Sequence, residues 1–264
     1  MNTINYKAVR RHWNKSFAGE FKYGDGYKID DENFALLRFK TEIRSLKEIL
    51  HKNKAKTNSF LDIGCGNGKY SFYFSHLFNK VVGVDFSAAS LRIAKHEAVR
   101  RGIPNCVFHC SDLKRLNLNK KFDFIFVGGV LMYIKDEDLP LALQKLSQHL
   151  NDDGVIILRE PLFTKNQSLV QLGEYHVIYR SLQSMKEALR KESLHVVHEE
   201  LNQGYMYGII VDFYMKLLRK LLNKKMASKM TFRYVARPWF LKPNYLLLKN
   251  RVQSKGYFLT VKKS

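Results

Sequence analysis

The stretch LDIGCGNGKY, at residues 61–70, constrains the possible folds of this chain more than any other feature. Its first three residues end the apolar run SFLDI at 59–63, and a helical pattern follows it. Its three glycines therefore fall where a strand turns into a helix. Glycine lets the backbone turn tightly at such a point and approach a ligand closely. Asp85 ends the next apolar run, where a carboxylate can accept two hydrogen bonds from a ribose diol. This spacing indicates a nucleotide site at the edge of a sheet.

Apolar runs alternate with helical patterns from residue 59 onward. The runs predict strands at 59–63, 81–85, 106–110, 122–127, 154–160, 193–201 and 257–263. The intervening patterns predict helices at 68–78, 87–102, 136–150 and 181–193. Unbroken apolar strands that are separated by helices indicate an α/β fold, in which a parallel sheet is covered on both faces.

Three regions are predicted along the chain. Residues 1–58 have an amphipathic helical pattern, and we expect this segment to cover the ligand site. Residues 59–200 and 257–264 are predicted to form the core. Residues 201–256, between the sixth and seventh strands, are aromatic, basic and mostly helical in pattern, which predicts a folded cap.

The positive charge is concentrated near the carboxyl terminus. The chain has 45 Lys and Arg against 24 Asp and Glu, a net charge of +21. Residues 201–264 hold 14 of the basic residues and one acid, Asp212, a local net charge of +13. A Lys-rich composition alone does not explain the near absence of acids there, so the segment predicts a local anionic partner.

Cysteine usage and hydropathy predict where the protein works. Cys65, Cys106 and Cys110 lack metal-ligand spacing, so we expect reduced thiols and no metal site. The amino terminus has no apolar core of a signal peptide, and no run of about 18 apolar residues predicts a membrane span. We therefore expect a cytoplasmic protein, and peripheral contact with a membrane stays open.

Four motifs in chain order carry a family resemblance. The glycine loop preceded by Asp62, then VGVDFS, CSDL and FDFIFVGGVLMYI, resembles the motif series of class I S-adenosyl-L-methionine-dependent methyltransferases of the small-molecule type. A dinucleotide dehydrogenase would favour GxGxxG instead. The resemblance covers residues 59–160 and implies a Rossmann-like, seven-stranded, mostly parallel sheet with an antiparallel last strand. It also implies S-adenosyl-L-methionine as cofactor and S-adenosyl-L-homocysteine as product.

The resemblance assigns cofactor roles to residues at the ends of the first strand. Gly64, Gly66 and the backbone around Cys65 would line the amino-acid part of the cofactor. Asp62 would organise this loop or contact the methionine ammonium group.

The next two strand ends would hold the nucleoside. Asp85 would hold the ribose hydroxyls, with Phe86 and Ser87 flanking the adenine. Asp112, with Leu113, would accept a hydrogen bond from the exocyclic amine of the adenine.

The fourth strand end would lie near the methionine side of the cofactor, through Val127 and Gly128, with Tyr133 covering it. This segment has no Asn-Pro-Pro-aromatic or Asp-Pro-Pro-Tyr tetrapeptide, which grips the amino group of a base or glutamine. No cysteine nucleophile for pyrimidine chemistry follows the fourth or fifth strand. The segment is similar to that of small-molecule methyltransferases.

The stretch GEYHVIYRS, at 173–181, follows the fifth strand, which we expect Pro161 to end. We predict that residues 161–180 form the loop and first helical turn nearest the methyl group. His176 is the candidate base because its pKa is near neutral. Arg180 is the candidate clamp for an anionic acceptor, or else the partner of Glu160 or Glu174 in an ion pair. Tyr179 and Glu160 are further candidates for the wall of the catalytic site.

Two functions remain open from the sequence. One is methyl transfer to a small-molecule, glycan or lipid-linked acceptor, anionic in character, that the basic cap encloses. The basic helical pattern could also rest on an anionic membrane surface. The other is an RNA methyltransferase, whose cap would grip phosphates and stack on bases. No separate RNA-binding module is recognisable in the sequence. The acceptor and the oligomeric state are not determined at this stage.

Overall fold

The computed structural model of the chain describes residues 3–16, 32–163, 168–222 and 254–264, together with residues 226, 241, 243 and 244. Among these residues, no helix has both the length and the apolar character needed to cross a membrane. Nearly half of the cap predicted at 201–256 lies outside the described residues, as does part of the segment predicted at 1–58.

The described elements follow the predicted alternation of strands and helices. The helices are α1 (Tyr6–Ser16), α2 (Glu32–Lys52), α3 (Lys69–Phe74), α4 (Ala88–Arg100), α5 (Leu139–Gln148), α6 (Leu182–Lys191) and α7 (Gln203–Arg219). The strands are β1 (Ser59–Ile63), β2 (Lys80–Asp85), β3 (Cys106–Cys110), β4 (Phe122–Gly128), β5 (Leu150–Phe163), β6 (Ser168–Leu172), β7 (Tyr175–Tyr179), β8 (Leu194–Leu201) and β9 (Ser254–Lys263). Short 3-10 helices span Leu113–Arg115, Leu131–Tyr133 and Asp136–Asp138.

Seven strands form one sheet in the order β3-β2-β1-β4-β5-β9-β8. Strands β1 to β5 pair in parallel, and β9 lies antiparallel between β5 and β8. The predicted Rossmann-like sheet with an antiparallel last strand is therefore confirmed. The strand order reverses between β1 and β4, because β2 and β3 lie on one side of β1, and β4 and β5 lie on the other. Ligands bind at such a switch point in open α/β sheets.

Apolar side chains cover both faces of the sheet. On β1, Phe60 faces one layer and Leu61 faces the other, as strand alternation requires. The first layer is aromatic, and the Phe60 ring lies 4.8 Å from Phe74 and 5.5 Å from Phe124 between centroids. Helix α2 contributes Leu46 to this layer, so part of the amino-terminal segment packs into the core.

Polar caps set where three helices begin. Ser87, Ser181 and Asn202 are the N-caps of α4, α6 and α7, and each side chain accepts a hydrogen bond from a backbone N–H of the first turn. Such caps satisfy donors that a helix cannot satisfy itself. Because α4 and α7 begin at the carboxyl edge of the sheet, these caps also fix elements beside the predicted site.

The segment 161–180 is a continuation of β5 followed by a β-hairpin, so the predicted loop and helical turn are wrong. β5 runs on to Phe163 through Pro161, because beyond Arg159 it pairs with β9 alone, and an edge position tolerates proline. β6 and β7 then pair antiparallel, and Gly173 adopts φ +61° in the turn between them. The aromatic and β-branched residues of GEYHVIYRS suit a strand, since they pack well on a pleated surface.

Candidate active site

A cavity of about 190 Å³ opens at the carboxyl ends of the parallel strands. Its walls come from α1, α2, the loops that follow β1 to β4, and the segments around β5, α7 and β9. It runs along the sheet edge from the β2 and β3 side to the β5 and β9 side. The cavity therefore joins the residues predicted for the cofactor to a second region beside β5.

The glycine loop after β1 leaves room at the centre of the cavity. Gly64 adopts φ +71°, and a Cβ added to it would lie 2.4 Å from Val130 Cγ2. Both the backbone conformation and the space therefore require glycine. Gly64, Cys65 and Gly66 all line the cavity, as the resemblance implies for the amino-acid part of the cofactor.

Asp85 lies at the end of β2 and faces the cavity. Its Oδ2 accepts from Gly66 N at 2.9 Å and its Oδ1 accepts from Ser87 N at 2.8 Å. Burial raises the pKa of Asp85, and these backbone hydrogen bonds lower it by less. No ion pair with a cation is described for this carboxylate, and each oxygen can accept a further hydrogen bond. A ribose diol would supply the missing donors, so the residue fits its expected role.

The β2 and β3 side of the cavity fits an adenine. Phe86, Asp112 and Leu113 line it, and Asp112 Oδ1 also accepts from Lys114 N at 3.0 Å. The guanidinium carbon of Arg10 lies 5.6 Å from the centroid of the Phe86 ring. A flat apolar surface with a carboxylate at its edge suits a base that carries an amino group.

Helix α1 closes over this region. Tyr6 OH donates to Asp138 and accepts from Lys135 N, and the Trp13 ring lies 5.8 Å from Tyr133 between centroids. Tyr6, Trp13 and Tyr133 all line the cavity. Helix α1 therefore forms part of the cavity wall.

Glu160 lies on the β5 side and is 2% exposed. Its Oε1 accepts from Val130 N at 2.8 Å and from Leu131 N at 2.9 Å. Burial raises the pKa of Glu160 to about 7, although these hydrogen bonds and the nearby Arg159 and Arg180 oppose the rise. The side chain borders the cavity, and no hydrogen bond to Oε2 is described. Glu160 is thus a carboxyl group that can hold or release a proton near neutral pH.

A buried charge network lies next to Glu160. Arg159 Nη1 donates to Glu42 Oε2 at 2.8 Å and to Tyr70 OH at 2.7 Å, and Tyr70 OH donates to Glu42. Asn202 Nδ2 donates to Glu42 Oε1 at 2.9 Å, and Arg38 pairs with the same oxygen at 3.4 Å. The adjacent Arg159 and Arg38 lower the pKa of Glu42 to about 2, against its complete burial.

Cations exceed carboxylates where this network meets the glycine loop. Arg38 and Arg159 line the cavity there, whereas Glu42 is 1% exposed and lies behind them. Lys69 lines the cavity as well, but burial lowers the pKa of its ammonium group well below the usual value. The carboxylate of an amino acid would complement this excess of positive charge. The cavity therefore fits the methionine part of the cofactor as well as its nucleoside.

Three residues predicted to contact the cofactor lie behind the cavity wall. Asp62 is 1% exposed and its Oδ2 accepts from Ser71 Oγ at 2.6 Å, which fits the expected role of organising the loop. Val127 is fully buried in the core, while Gly128 reaches the cavity. Ser87 caps α4 and donates to Asn14 Oδ1 at 2.7 Å, so it joins α4 to α1.

Arg180 has a structural environment rather than the expected clamp position. Its side chain is 2% exposed, and Nη1 and Nη2 donate to Leu131 O at 2.7 Å and Ile134 O at 2.6 Å. Its Nε donates to Asp136 Oδ1 at 2.9 Å. The ion pair therefore forms with Asp136 rather than with Glu160 or Glu174. Arg180 holds the loop that carries Tyr133, and it is not among the residues that line the cavity.

His176 and Tyr179 also lie away from the cavity lining. Both are on β7, where His176 is half-buried and Tyr179 packs its ring 5.4 Å from Phe163. Their neighbour Tyr175 reaches closer, with its ring 6.0 Å from Tyr133. The hairpin therefore supports the cavity wall from behind, and the base role of His176 stays a prediction.

Replacement of Arg180 tests whether it is structural. We expect Arg180→Ala to lower the free energy of unfolding by about 2–4 kcal/mol, because it leaves two buried carbonyl groups without donors. Urea unfolding would measure this. Arg100→Ala is the control, since Arg100 is 61% exposed in its pair with Glu97 and should change stability by less than about 1 kcal/mol. Unchanged stability with a raised acceptor KM would instead support the predicted clamp.

The sequence did not indicate several residues of the cavity wall. Arg159 directly precedes Glu160 and Lys69 directly follows the glycine loop, so their positions at strand ends were available signals. Arg38, Asn202 and Tyr205 gave no such signal. They come from α2 and the start of α7, and only the packing of these helices brings them to the sheet edge.

Comparison with known proteins agrees with this geometry. Residues 60–154 match the family model described as a methyltransferase domain. Among solved structures, a coclaurine N-methyltransferase bound to N-methylheliamine and SAH shares the fold, with a TM-score of 0.62 and 15% identity over 100% of this chain and 84% of that chain. The matched region carries the glycine loop, Asp85 and Asp112. Residues 60–154 are therefore a class I S-adenosyl-L-methionine-dependent methyltransferase domain.

Relatives at the sequence level are methyltransferases of different substrates. The chain is 33% identical over 137 residues to a malonyl-[acyl-carrier protein] O-methyltransferase of Bacillus cereus, covering 50% of this chain and 49% of that protein. It is 27% identical over 127 residues to a dTDP-3-amino-3,6-dideoxy-alpha-D-glucopyranose N,N-dimethyltransferase of Streptomyces fradiae, covering 47% and 48%. The chain thus spans about half the length of the curated relatives it matches.

Proposed function

We propose that this chain, with its class I methyltransferase domain at residues 60–154, transfers a methyl group from S-adenosyl-L-methionine to an oxygen or nitrogen of a small-molecule, glycan or lipid-linked acceptor that is anionic. The observation that carries the proposal is one cavity that joins Gly64 and Asp85 to the buried carboxyl group of Glu160. The names of the relatives include both an O-methyltransferase and an N,N-dimethyltransferase, and so support either acceptor atom.

The cavity walls would position the acceptor. When bound, the cofactor supplies a methyl group that is activated by its sulfonium sulfur. Methyl transfer depends chiefly on orientation, and a well-oriented pair of reactants can gain about 7–11 kcal/mol relative to free solution. Trp13, Met132 and Tyr133 belong to one apolar cluster and form an apolar wall of the cavity. We infer that this wall excludes water and limits the approach of the acceptor.

Glu160 would take the proton that an alcohol or ammonium acceptor loses. A general base works best when its pKa lies near the working pH, and burial raises the pKa of Glu160 to about 7. The two backbone N–H donors hold Oε1, so we infer that Oε2 is the oxygen that accepts the proton. This assignment replaces His176 as our candidate base.

An anionic acceptor is supported by the charge of the whole chain. The chain carries a net charge of +21, of which residues 201–264 contribute +13. Incubation of the protein with labelled cofactor and a pool of carboxylated, phosphorylated and neutral acceptors tests this. Label transfer to anionic members would support the proposal. Tight binding of S-adenosyl-L-homocysteine without label transfer to any member would count against it.

The role of Asp85 can be tested by binding alone. We expect Asp85→Asn to weaken S-adenosyl-L-homocysteine binding by about 10- to 100-fold, because hydrogen bonds to a charged group are worth about 1.5–3 kcal/mol. Isothermal titration calorimetry would measure the dissociation constant. Asp153→Asn is a matched control, because Asp153 is 81% exposed and remote from the cavity lining. An unchanged dissociation constant for Asp85→Asn would remove the residue from the ribose site.

A further inference from the structure

Helix α7 exposes apolar side chains along its second half. Phe213 and Leu217 are 56% and 45% exposed, and Leu221, just after the helix, is 78% exposed. Phe213 and Leu217 are four apart and lie on the same side of the helix, and Leu221 follows in the turn after Arg219. The three side chains together form an exposed apolar stripe. We call Phe213, Leu217 and Leu221 the α7 stripe. Exposed apolar stripes of this kind mark interaction sites more often than chance.

The first half of α7 is already packed. Tyr207, Ile210 and Val211 are buried with Phe34 of α2 in one apolar cluster. This packing anchors α7 to the body of the protein, so the helix does not need the stripe for its own stability. The stripe is therefore available to a partner.

Lysines border the α7 stripe. Lys216 is 69% exposed and pairs with Asp212, and Lys220 is exposed one turn further on. On a helical wheel these lysines lie on one side of the stripe, next to Phe213. Asp212 is the sole acid in residues 201–264, which carry a net charge of +13. The partner that this segment fits is therefore both apolar and anionic.

We propose that the α7 stripe docks on the surface of an anionic lipid bilayer. Leu217 and Leu221 would enter the boundary between headgroups and acyl chains, and the lysines would contact anionic headgroups. Nucleic acid fits less well, because bases stack on aromatic or guanidinium planes and two of the three stripe residues are leucines. This inference concerns binding and goes beyond the proposed methyl transfer.

The same helix reaches the cavity at its other end. Asn202 and Tyr205, at the start of α7, line the cavity, whereas the stripe occupies the second half. A helix of 17 residues is about 25 Å long at 1.5 Å per residue. Docking through the stripe would thus hold the cavity within about one helix length of the bilayer, a distance that suits a lipid-linked acceptor.

Vesicle flotation with the full chain tests the proposal. Vesicles of phosphatidylcholine with about 30% phosphatidylserine should carry the protein at physiological salt, and vesicles of phosphatidylcholine alone should not. We expect the pair of changes Phe213→Asp and Leu217→Asp to reduce binding about tenfold or more. Val99→Asp with Val107→Asp is the matched control, because it adds the same two acids at apolar sites that are 83% and 55% exposed on α4 and β3, and it should leave binding unchanged.

Charge-reversal variants distinguish the effect of Lys216 and Lys220 on vesicle binding from the effect of the overall net charge. Lys216→Glu with Lys220→Glu should weaken vesicle binding, whereas Lys95→Glu with Lys120→Glu, which changes the net charge equally at exposed sites elsewhere, should not. The proposal fails if the protein does not float with anionic vesicles, or if both pairs of lysine changes act alike. It fails equally if the stripe variant floats normally, or if the protein binds RNA tightly and ignores vesicles. None of these binding measurements needs a methyl acceptor. Their outcome is therefore independent of whether the chain transfers a methyl group.

Discussion

The variant Glu160→Gln should lower the turnover number at least about a hundredfold while leaving cofactor affinity nearly unchanged, because general bases contribute about 10²–10⁴ to rate. Glutamine has nearly the same shape as glutamate, and its carbonyl oxygen can still accept from Val130 N and Leu131 N. The loop after β4 should therefore keep its position. What the variant loses is the ability to accept a proton.

The pH dependence of the same pair of proteins gives a second test of Glu160. Burial raises the pKa of this carboxyl group to about 7, so the basic form is scarce below that pH and dominant above it. We expect kcat/KM of the wild-type protein to rise with pH through about 7 and then level off. The Glu160→Gln variant should lack this rise.

His176→Ala is the matched control for Glu160→Gln. The His176 side chain is half-buried on β7 and is not among the cavity-lining residues, so its loss should change turnover by less than about fivefold. If His176→Ala abolishes turnover and Glu160→Gln does not, the base lies on the hairpin and our assignment is wrong. Steady-state assays of both variants, with Tm as a check on folding, decide between them.

Glu42→Gln should destabilise the protein by about 3–5 kcal/mol, the usual cost of removing one partner of a buried ion pair. Glu42 is 1% exposed and pairs with Arg159 at 2.8 Å and Arg38 at 3.4 Å. Glutamine could still accept from Asn202, but it would leave the guanidinium groups without a counter-charge. Urea unfolding at neutral pH would measure the loss.

Lowering the pH should reduce the difference in unfolding free energy between the wild-type protein and the Glu42→Gln variant. The arginines lower the pKa of Glu42 from its usual value of 4.5 to about 2, so the folded protein holds this carboxylate ionised more tightly than the unfolded chain does. Its contribution to stability is therefore present above about pH 4.5 and disappears as the pH falls toward about 2. We expect the gap in unfolding free energy to narrow over that range.

Glu97→Gln is the comparison for Glu42. The pKa of Glu97 is also lowered to about 2, through hydrogen bonds from Arg100 and Arg101. These arginines are 61% and 30% exposed, so water can solvate them when the carboxylate is removed. We expect a loss below about 1 kcal/mol. An equally small loss for Glu42→Gln would show that its buried network does not stabilise the fold.

The sequence by itself determined where the strands of the sheet and the glycine loop lie along the chain. The strand positions, the turn at the glycine loop and the end of β2 at Asp85 were all predictable, because each depends on patterns within a few residues of the chain. Hydrophobic alternation distinguishes strands from helices locally, and a left-handed backbone at Gly64 follows from the residue type. The motifs also identified the methyltransferase domain that residues 60–154 match.

Only the tertiary structure decided the other half of the cavity. The stretch GEYHVIYRS contains β7, which forms a hairpin with β6 at 168–172. Arg180 reaches carbonyl groups 46 and 49 residues away, and Glu42 meets Arg159 across 117 residues. Local patterns do not encode such contacts. A buried charged group pairs with the partner that the packed elements bring within reach. Because an unpaired charge away from water is strongly unfavourable, the pair is then retained.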